Sequence, residues 1–198
     1  MNNETMFSSK NQAWATRWET FYSIQGIDGK PYNLDPCAEI KTAKCDRFIT
    51  KEMDMFSIAN PAEHFGERIH FFANPEYGKM QKKMVSHLVS WCKNEGVSGD
   101  ILIPSRTDTD LFHSIVVPNA TSIKFVQGRV TFGSDEYWEW VWSQESMVDI
   151  NGKYQPNKLF GKIGSMNPAP FPSMVVSFGG IKSTGFGSVR LAKNVYEV

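Results

Sequence analysis

Apolar positions along the chain form short runs broken by polar turns, and two of these runs end in an acid or amide followed by proline. Ile69–Ala73, reading Ile-His-Phe-Phe-Ala, has the length and the aromatic and β-branched content of a buried strand. It stops at Asn74-Pro75, because proline forces the residue before it into extended backbone and cannot donate to a ladder. Helical spacing follows over residues 79–94. Met80, Met84, Leu88 and Trp91 line one stripe, read as core, and Lys79, Lys82, Lys83 and His87 share another face. Asn94-Glu95-Gly96 stops that helix, and residues 100–104 form another apolar strand. Strand, helix and strand in this order predict a βαβ unit with a parallel crossover.

Upstream, Trp14, Trp18, Phe21 and Tyr22 are spaced as on a helix, with core packing the favoured role for the tryptophans. Residues 27–31 are a turn by composition, and 32–35 a short strand ending in Asp35-Pro36. Phe48-Ile49-Thr50 is a second strand candidate, followed by the acids Glu52 and Asp54. Between them Lys41, Lys44, Arg47 and Lys51 read as a solvated basic face.

Downstream, 105–110 is a polar loop in which Thr107 or Thr109 caps a helix over Leu111–Val116. Ser122–Val126 and residues 129–132 alternate around Gln127-Gly128 and predict a β-hairpin. Trp138, Trp140 and Trp142 alternate with Tyr137, Glu139 and Val141, which predicts a strand with one buried face. Residues 152–170 are long, irregular and basic at Lys153, Lys158 and Lys162, either a substrate-recognition loop or a variable insertion. Residues 172–178 close the fold as a final strand. The expected organisation is a polar tail at 1–12, one domain over 13–180 with 134–170 as a candidate target-recognition insertion, and a C-terminal tail at 181–198.

Composition narrows the classes. A chain of 198 residues suits one domain with one sizeable core. Lys+Arg and Asp+Glu both number 21, so any nucleic-acid surface must be local. Cys37, Cys45 and Cys92 show no Cys-x-x-Cys or Cys/His zinc spacing and read as free thiols of a reducing compartment. No run approaches the roughly 20 apolar residues of a membrane span, and the polar N-terminus lacks a signal-peptide core. The expectation is a soluble cytoplasmic protein with no membrane partner and no metal.

The candidate chemistry sits where the central strand ends. Asn74, Pro75, Glu76 and Tyr77 occupy a loop at the carboxyl end of a strand, where open α/β sheets bind ligands. An Asn side chain and a Pro carbonyl offer two acceptors to one exocyclic amine, and a Tyr ring can stack on a flat heterocycle extruded from a duplex. Glu76 either adds an acceptor and takes a proton or points outward. Asp35 is placed to contact a cofactor's amine, and Glu52 or Asp54 a ribose or adenine. Lys79, Lys82 and Lys83 either touch phosphate or form a solvated face, while Arg106 and Arg129 either bind phosphate or pair with Asp108 or Asp110.

Several ordered fragments carry a resemblance. Trp14-Ala15-Thr16 resembles a Trp-x-Thr-Pro element in which Arg17 replaces proline. Leu34-Asp35-Pro36-Cys37-Ala38 resembles motif I, followed by Lys44-Cys45 and Phe48-Ile49-Thr50. Asn74-Pro75-Glu76-Tyr77 resembles the (Asp/Asn)-Pro-Pro-(Tyr/Phe) motif IV, with Glu76 for the second proline. Pro104 to Thr109 with Phe112-His113, Phe125 to Phe132 with Gly128-Arg129, and Ala169 to Val176 follow in order. Together the fragments resemble the phage-type, Dam-like DNA adenine-N6 methyltransferases. That resemblance implies an S-adenosylmethionine-dependent α/β (Rossmann-like) fold: a mostly parallel seven-stranded sheet with an antiparallel hairpin strand, flanked by helices. It also implies double-stranded DNA as partner, and restriction evasion in a phage as the use. Trp14 and Thr16 are expected near the cofactor's carboxylate, Asp35, Pro36 and Ala38 around its methionine, and Asn74, Pro75 and Tyr77 around the flipped adenine. The alternative is a protein of the same fold that binds DNA or cofactor with altered specificity or without turnover, motivated by Glu76 and Arg17.

Overall fold

The computed structural model describes residues 15–133, 137–139, 141, 167–180 and 185–191. Helix α1 (Trp18–Asp28) precedes a 3₁₀ turn at Met55–Ser57 and the short α2 (Pro61–Phe65). Strand β1 (Ile69–Ala73), helix α3 (Gln81–Trp91) and strand β2 (Val97–Pro104) follow. The chain continues through a π-helical segment, Leu111–Val116, into α4 (Val117–Asn119). Five strands complete it: β3 (Ser122–Val126), β4 (Thr131–Phe132), β5 (Asn167–Pro168), β6 (Ser173–Gly179) and β7 (Gly185–Val189).

The expected βαβ unit is present. β1 and β2 are parallel, with Ile69 opposite Val97 and Ala73 opposite Ile101. The side chains of these strands alternate between two apolar layers, as the pleat requires. Phe71, Ile101 and Ile103 pack with Val85, Leu88 and Trp91 of α3. Phe72 and Leu102 face the other way, onto Phe21 and Ile24 of α1. The sheet is therefore sandwiched between α1 and α3. Of the expected stripe Leu88 and Trp91 face the core, joined by Val85 and Val89, whereas Met84 is only partly buried and Met80, ahead of α3, is exposed.

The sheet itself differs from the seven-stranded, mostly parallel one expected. Its order is β1-β2-β6-β3-β7, five strands, with a separate two-stranded sheet of β4 and β5. Among the described residues, two single parallel bridges continue it beyond β1, Leu34 with Phe71 and Asp35 with Phe48. The predicted strands at 32–35 and 48–50 are thus reduced to bridging residues, held by a few backbone hydrogen bonds such as Phe72 N–H to Leu34 and Ile49 N–H to Asp35.

The antiparallel strand is β6, which pairs with β2 on one side and β3 on the other. The hairpin around Gln127-Gly128 does not form. Both edges of β3 are occupied, by β6 and by the parallel β7, and after Gly128 (φ 86°) the chain leaves the sheet. Thr131–Phe132 pairs instead with Asn167–Pro168.

Residues 137–139 are helical, not the strand that alternating aromatics predicted. Tyr137, Trp138 and Val141 are all buried, a spacing that a helical turn puts on one side and a strand does not. β7 falls within the stretch read as C-terminal tail. Of the candidate insertion at 134–170, only 137–139, 141 and 167–170 are described.

Candidate functional site

Because β2 and β3 are each antiparallel to β6, they run the same way, and β1 is parallel to β2. The loops after β1, β2 and β3 therefore leave from one edge of the sheet. Asn74, Arg106 and Arg129 follow these strands directly. This is the edge at which parallel α/β sheets bind their ligands.

A cavity of about 290 Å³ opens there. The Asn74-Pro75-Glu76-Tyr77 loop contributes to its lining, and so does the turn carrying Asp35, Pro36 and Ala38. Thr16 and Asp54 complete the expected set, while Glu52 is exposed and does not line it. Trp14 lies outside the described residues.

Each wall has a local cause. Asp35 is almost fully buried, and its carboxylate accepts the backbone N–H groups of Cys37 (3.3 Å) and Lys44 (3.0 Å). That folds residues 35–44 into a closed loop. Burial raises the Asp35 carboxyl above its usual range, with Lys44 pulling the other way. Cys37 also lines the cavity, and burial lifts its thiol well above normal, so it stays protonated. Asp54 is the one non-glycine residue with positive φ (50°) among those described. It holds that conformation while its side chain accepts the Phe56 N–H at 3.1 Å, which sets Met55 and Phe56 into the cavity wall. Asn74 is half-buried, Pro75 buried and Glu76 exposed. Tyr77 packs edge-on against Phe132 at 6.2 Å, and burial raises its phenol, whose oxygen has no hydrogen-bond partner among the described residues. Gly78, at φ 108°, then lets the chain turn toward α3.

The sequence assigns several lining residues no role at the site, Lys44 among them although Lys44-Cys45 is one of the fragments that carry the resemblance. Met80 and Met84, assigned to the core stripe, border the cavity. So do Lys44 and Lys51, read as a solvated face. Lys44 is buried, 7% exposed, and its ammonium donates to the Thr42 carbonyl. The Lys44 Nζ lies 5.0 Å from the Trp18 ring centroid and 4.6 Å from that of Trp138. Burial lowers its pKa to about 8, with Asp35 opposing. No local pattern announces this burial, since the two rings come from distant parts of the chain.

The expected DNA-contacting cations are mostly engaged. Lys82 pairs with Asp110, joining α3 to the loop after β2. Lys83 sits 4.2 Å over the Phe56 ring. Arg106 pairs with Asp108 at 3.3 Å and lies 5.5 Å from the Phe171 centroid. Arg129 donates to the Ala169 carbonyl at 3.1 Å, and Lys79 is exposed. Lys82 and Lys83 lie on α3, Lys79 just before it, and Arg106 in the loop that follows β2.

Two polar clusters lie outside this set. Arg17 and Glu19 form a buried ion pair at 2.5 Å, and Tyr137 donates to Glu19 at 3.0 Å. On the α1 face of the sheet Tyr32 donates to Asp100 at 2.5 Å. Asp28, His70 and Asp100 bring their ligand atoms within 4.8 Å of one another there. No helix among the described residues is long and apolar enough to cross a membrane.

A family model described as DNA N-6-adenine-methyltransferase (Dam) matches residues 3–157. No curated protein and no solved structure matches the chain. The matched span contains the Asp35 turn, Asp54, the Asn74–Tyr77 loop and the whole βαβ unit that brings them together. The chain belongs to the DNA N-6-adenine-methyltransferase (Dam) family, enzymes that methylate adenine in DNA at its exocyclic amine.

Proposed function

We propose that this enzyme takes its methyl group from S-adenosylmethionine and acts on an adenine swung out of a short sequence in double-stranded DNA. One observation carries the reading: a single cavity takes in both the Asp35 turn and the Asn74–Tyr77 loop. A donor and an acceptor of the methyl group bound there would meet without leaving the protein.

The residues fit such a cofactor. The Thr16 hydroxyl is buried without a hydrogen-bond partner, and Asp54 offers a carboxylate beside the Phe56 ring. The remaining walls mix Ile49, Met55 and Phe72 with Thr50 and Glu39, as an amphiphilic ligand requires. Thr16, Asp35, Pro36 and Ala38 border the methionine end, and Asp54 meets the adenosine. When bound, the cofactor supplies an electrophilic methyl group.

The chain supplies positioning. The Asn74 side-chain oxygen and the Pro75 carbonyl accept the two N–H groups of the target amine. Those bonds favour a tetrahedral nitrogen, freeing a lone pair otherwise delocalised into the ring. Tyr77 presents an aromatic surface to the extruded base, at a few kcal/mol of unstacking cost to the duplex. Glu76, exposed at the cavity mouth, accepts the amine proton afterwards and passes it to solvent. Lys79, Lys82, Lys83, Arg106 and Arg129 hold phosphates along the same sheet edge, Lys82 and Arg106 exchanging their carboxylate partners for DNA, so binding weakens with salt. The likeness to phage-type enzymes supports a phage origin, with methylation masking sites from host restriction.

The test incubates the protein with unmethylated duplex DNA and methyl-labelled S-adenosylmethionine, followed by nucleoside mass spectrometry. The expected product is N6-methyladenine, reduced by at least about 10²-fold in Asn74→Ala. Cofactor binding with no modified base would overturn the reading. Methylation gained only in Glu76→Pro would assign the natural chain to binding without turnover.

A further inference from the structure

We infer that Lys44 is the carboxylate-binding residue of the cavity, its ammonium gripping the free carboxylate of the cofactor's amino-acid end beside the Thr16 hydroxyl. The inference rests on the S-adenosylmethionine reading and names the contact that anchors one end of that ligand.

Lys44 is a buried cation at the cavity wall, yet among the described residues no carboxylate forms an ion pair with it. Asp35, which lines the same cavity, spends both oxygens on backbone N–H groups, though its charge still acts on Lys44. Glu19 is taken by Arg17 and Tyr137. What Lys44 has instead is one backbone carbonyl and the two indole rings. Indole faces steady a cation without neutralising it.

An ammonium has three donors, and this one uses one on the Thr42 carbonyl. Burial costs this cation more than the attraction of Asp35 returns, which holds it near a pKa of about 8, well below a normal lysine. A cavity ligand carrying a carboxylate removes that cost on binding. Thr16 supplies an independent observation. It lines the same cavity, is 3% exposed, and its hydroxyl oxygen has no hydrogen-bond partner among the described residues. Among the described residues, a hydroxyl without a hydrogen-bond partner and a cation in no close ion pair are the two complements of one carboxylate.

The test compares S-adenosylhomocysteine with its decarboxylated analogue, which keeps the adenosine, the sulfur and the amine, by calorimetry on the full chain. The wild-type protein is expected to bind S-adenosylhomocysteine roughly 10- to 100-fold more tightly, the size of a charged hydrogen bond. Lys44→Met should abolish that preference while leaving affinity for the analogue unchanged, and Thr16→Val should reduce it. A purely structural lysine would weaken both ligands alike, and that result would overturn the assignment. Should Lys44→Met fail to fold, equal wild-type affinity for the two ligands, or an unaltered preference in Thr16→Val, would overturn it as well. Wild-type binding to neither ligand would instead overturn the cofactor reading and the assignment with it.

Discussion

The carboxylate of Asp35 accepts the backbone N–H of Lys44 at 3.0 Å, and that one contact closes the loop forming a wall of the cavity. Asp35→Ala leaves this N–H and that of Cys37 without an acceptor, at a cost of about 1–3 kcal/mol each. Thermal unfolding should show a midpoint lowered by several degrees, with Asp35→Asn intermediate because it keeps one of the two oxygens. An unchanged midpoint in Asp35→Ala would mean that the loop holds itself closed by other contacts.

Asp54 and Glu52 are two residues apart, but only Asp54 lines the cavity. Asp54→Asn retains an oxygen to cap Phe56 and loses the charge. Affinity for S-adenosylhomocysteine should fall roughly 10-fold in that variant, as expected for a lost charged hydrogen bond. It should stay within about twofold in Glu52→Gln, which alters an exposed group. Titration calorimetry on both variants decides the matter, and a larger effect at Glu52 would reverse the assignment.

Gly99 lies opposite Phe71 in the parallel ladder, and a Cβ there would fall 2.4 Å from the Phe71 ring. Gly99→Ala should therefore destabilise the protein by about 1–3 kcal/mol through overpacking. Adding Phe71→Leu should recover part of the loss, seen as a favourable coupling energy in chemical denaturation. Additive losses would show that the ring moves aside freely.

Glu19 has its carboxyl raised to about 7 by burial, an effect that the Arg17 guanidinium only partly offsets. Between its unfolded value of 4.5 and about 7, the folded chain binds the extra proton. The stability from protonated Glu19 is complete below 4.5 and is lost as pH rises through 7, on the order of 3 kcal/mol in all. Relative to wild type, Glu19→Gln should lose this downward slope when denaturation is followed from pH 4 to 8. Parallel profiles for the two proteins would show that Glu19 is ionised throughout.

How much of this could be read beforehand depended on range. The β1–α3–β2 unit was legible because its signals are local: a five-residue apolar run, an Asn-Pro stop, then helical spacing. The same Asn-Pro and Asp-Pro breaks marked the two loops that meet in the cavity. Strand partners were not legible. Ser122–Val126 and Thr131–Phe132 have the pattern of a hairpin, but which edges are free is decided by β6 and β7, far along the chain. Alternation misled at Trp138 because burial of adjacent Tyr137 and Trp138 follows packing against Trp18 and Tyr22, not a sheet face. Lys44 was invisible for the same reason, since its burial depends on rings far apart in sequence. Met80 and Met84 had the spacing of core residues, and spacing does not tell a core from a cavity wall.

The position of β6 bears on the order in which the protein can come into being. A ribosome releases β1, α3, β2 and β3 early, but β2 and β3 share no hydrogen bonds and meet only through Ser173–Gly179. Until that segment emerges, the nascent chain carries two strands with open edges and an apolar face that nothing has yet joined. The loops after β1 and β3 are fixed relative to each other only at that point. A translation stop shortly before Ser173 would thus remove no described residue of the cavity, and still leave a chain that cannot assemble the sheet edge from which these loops leave.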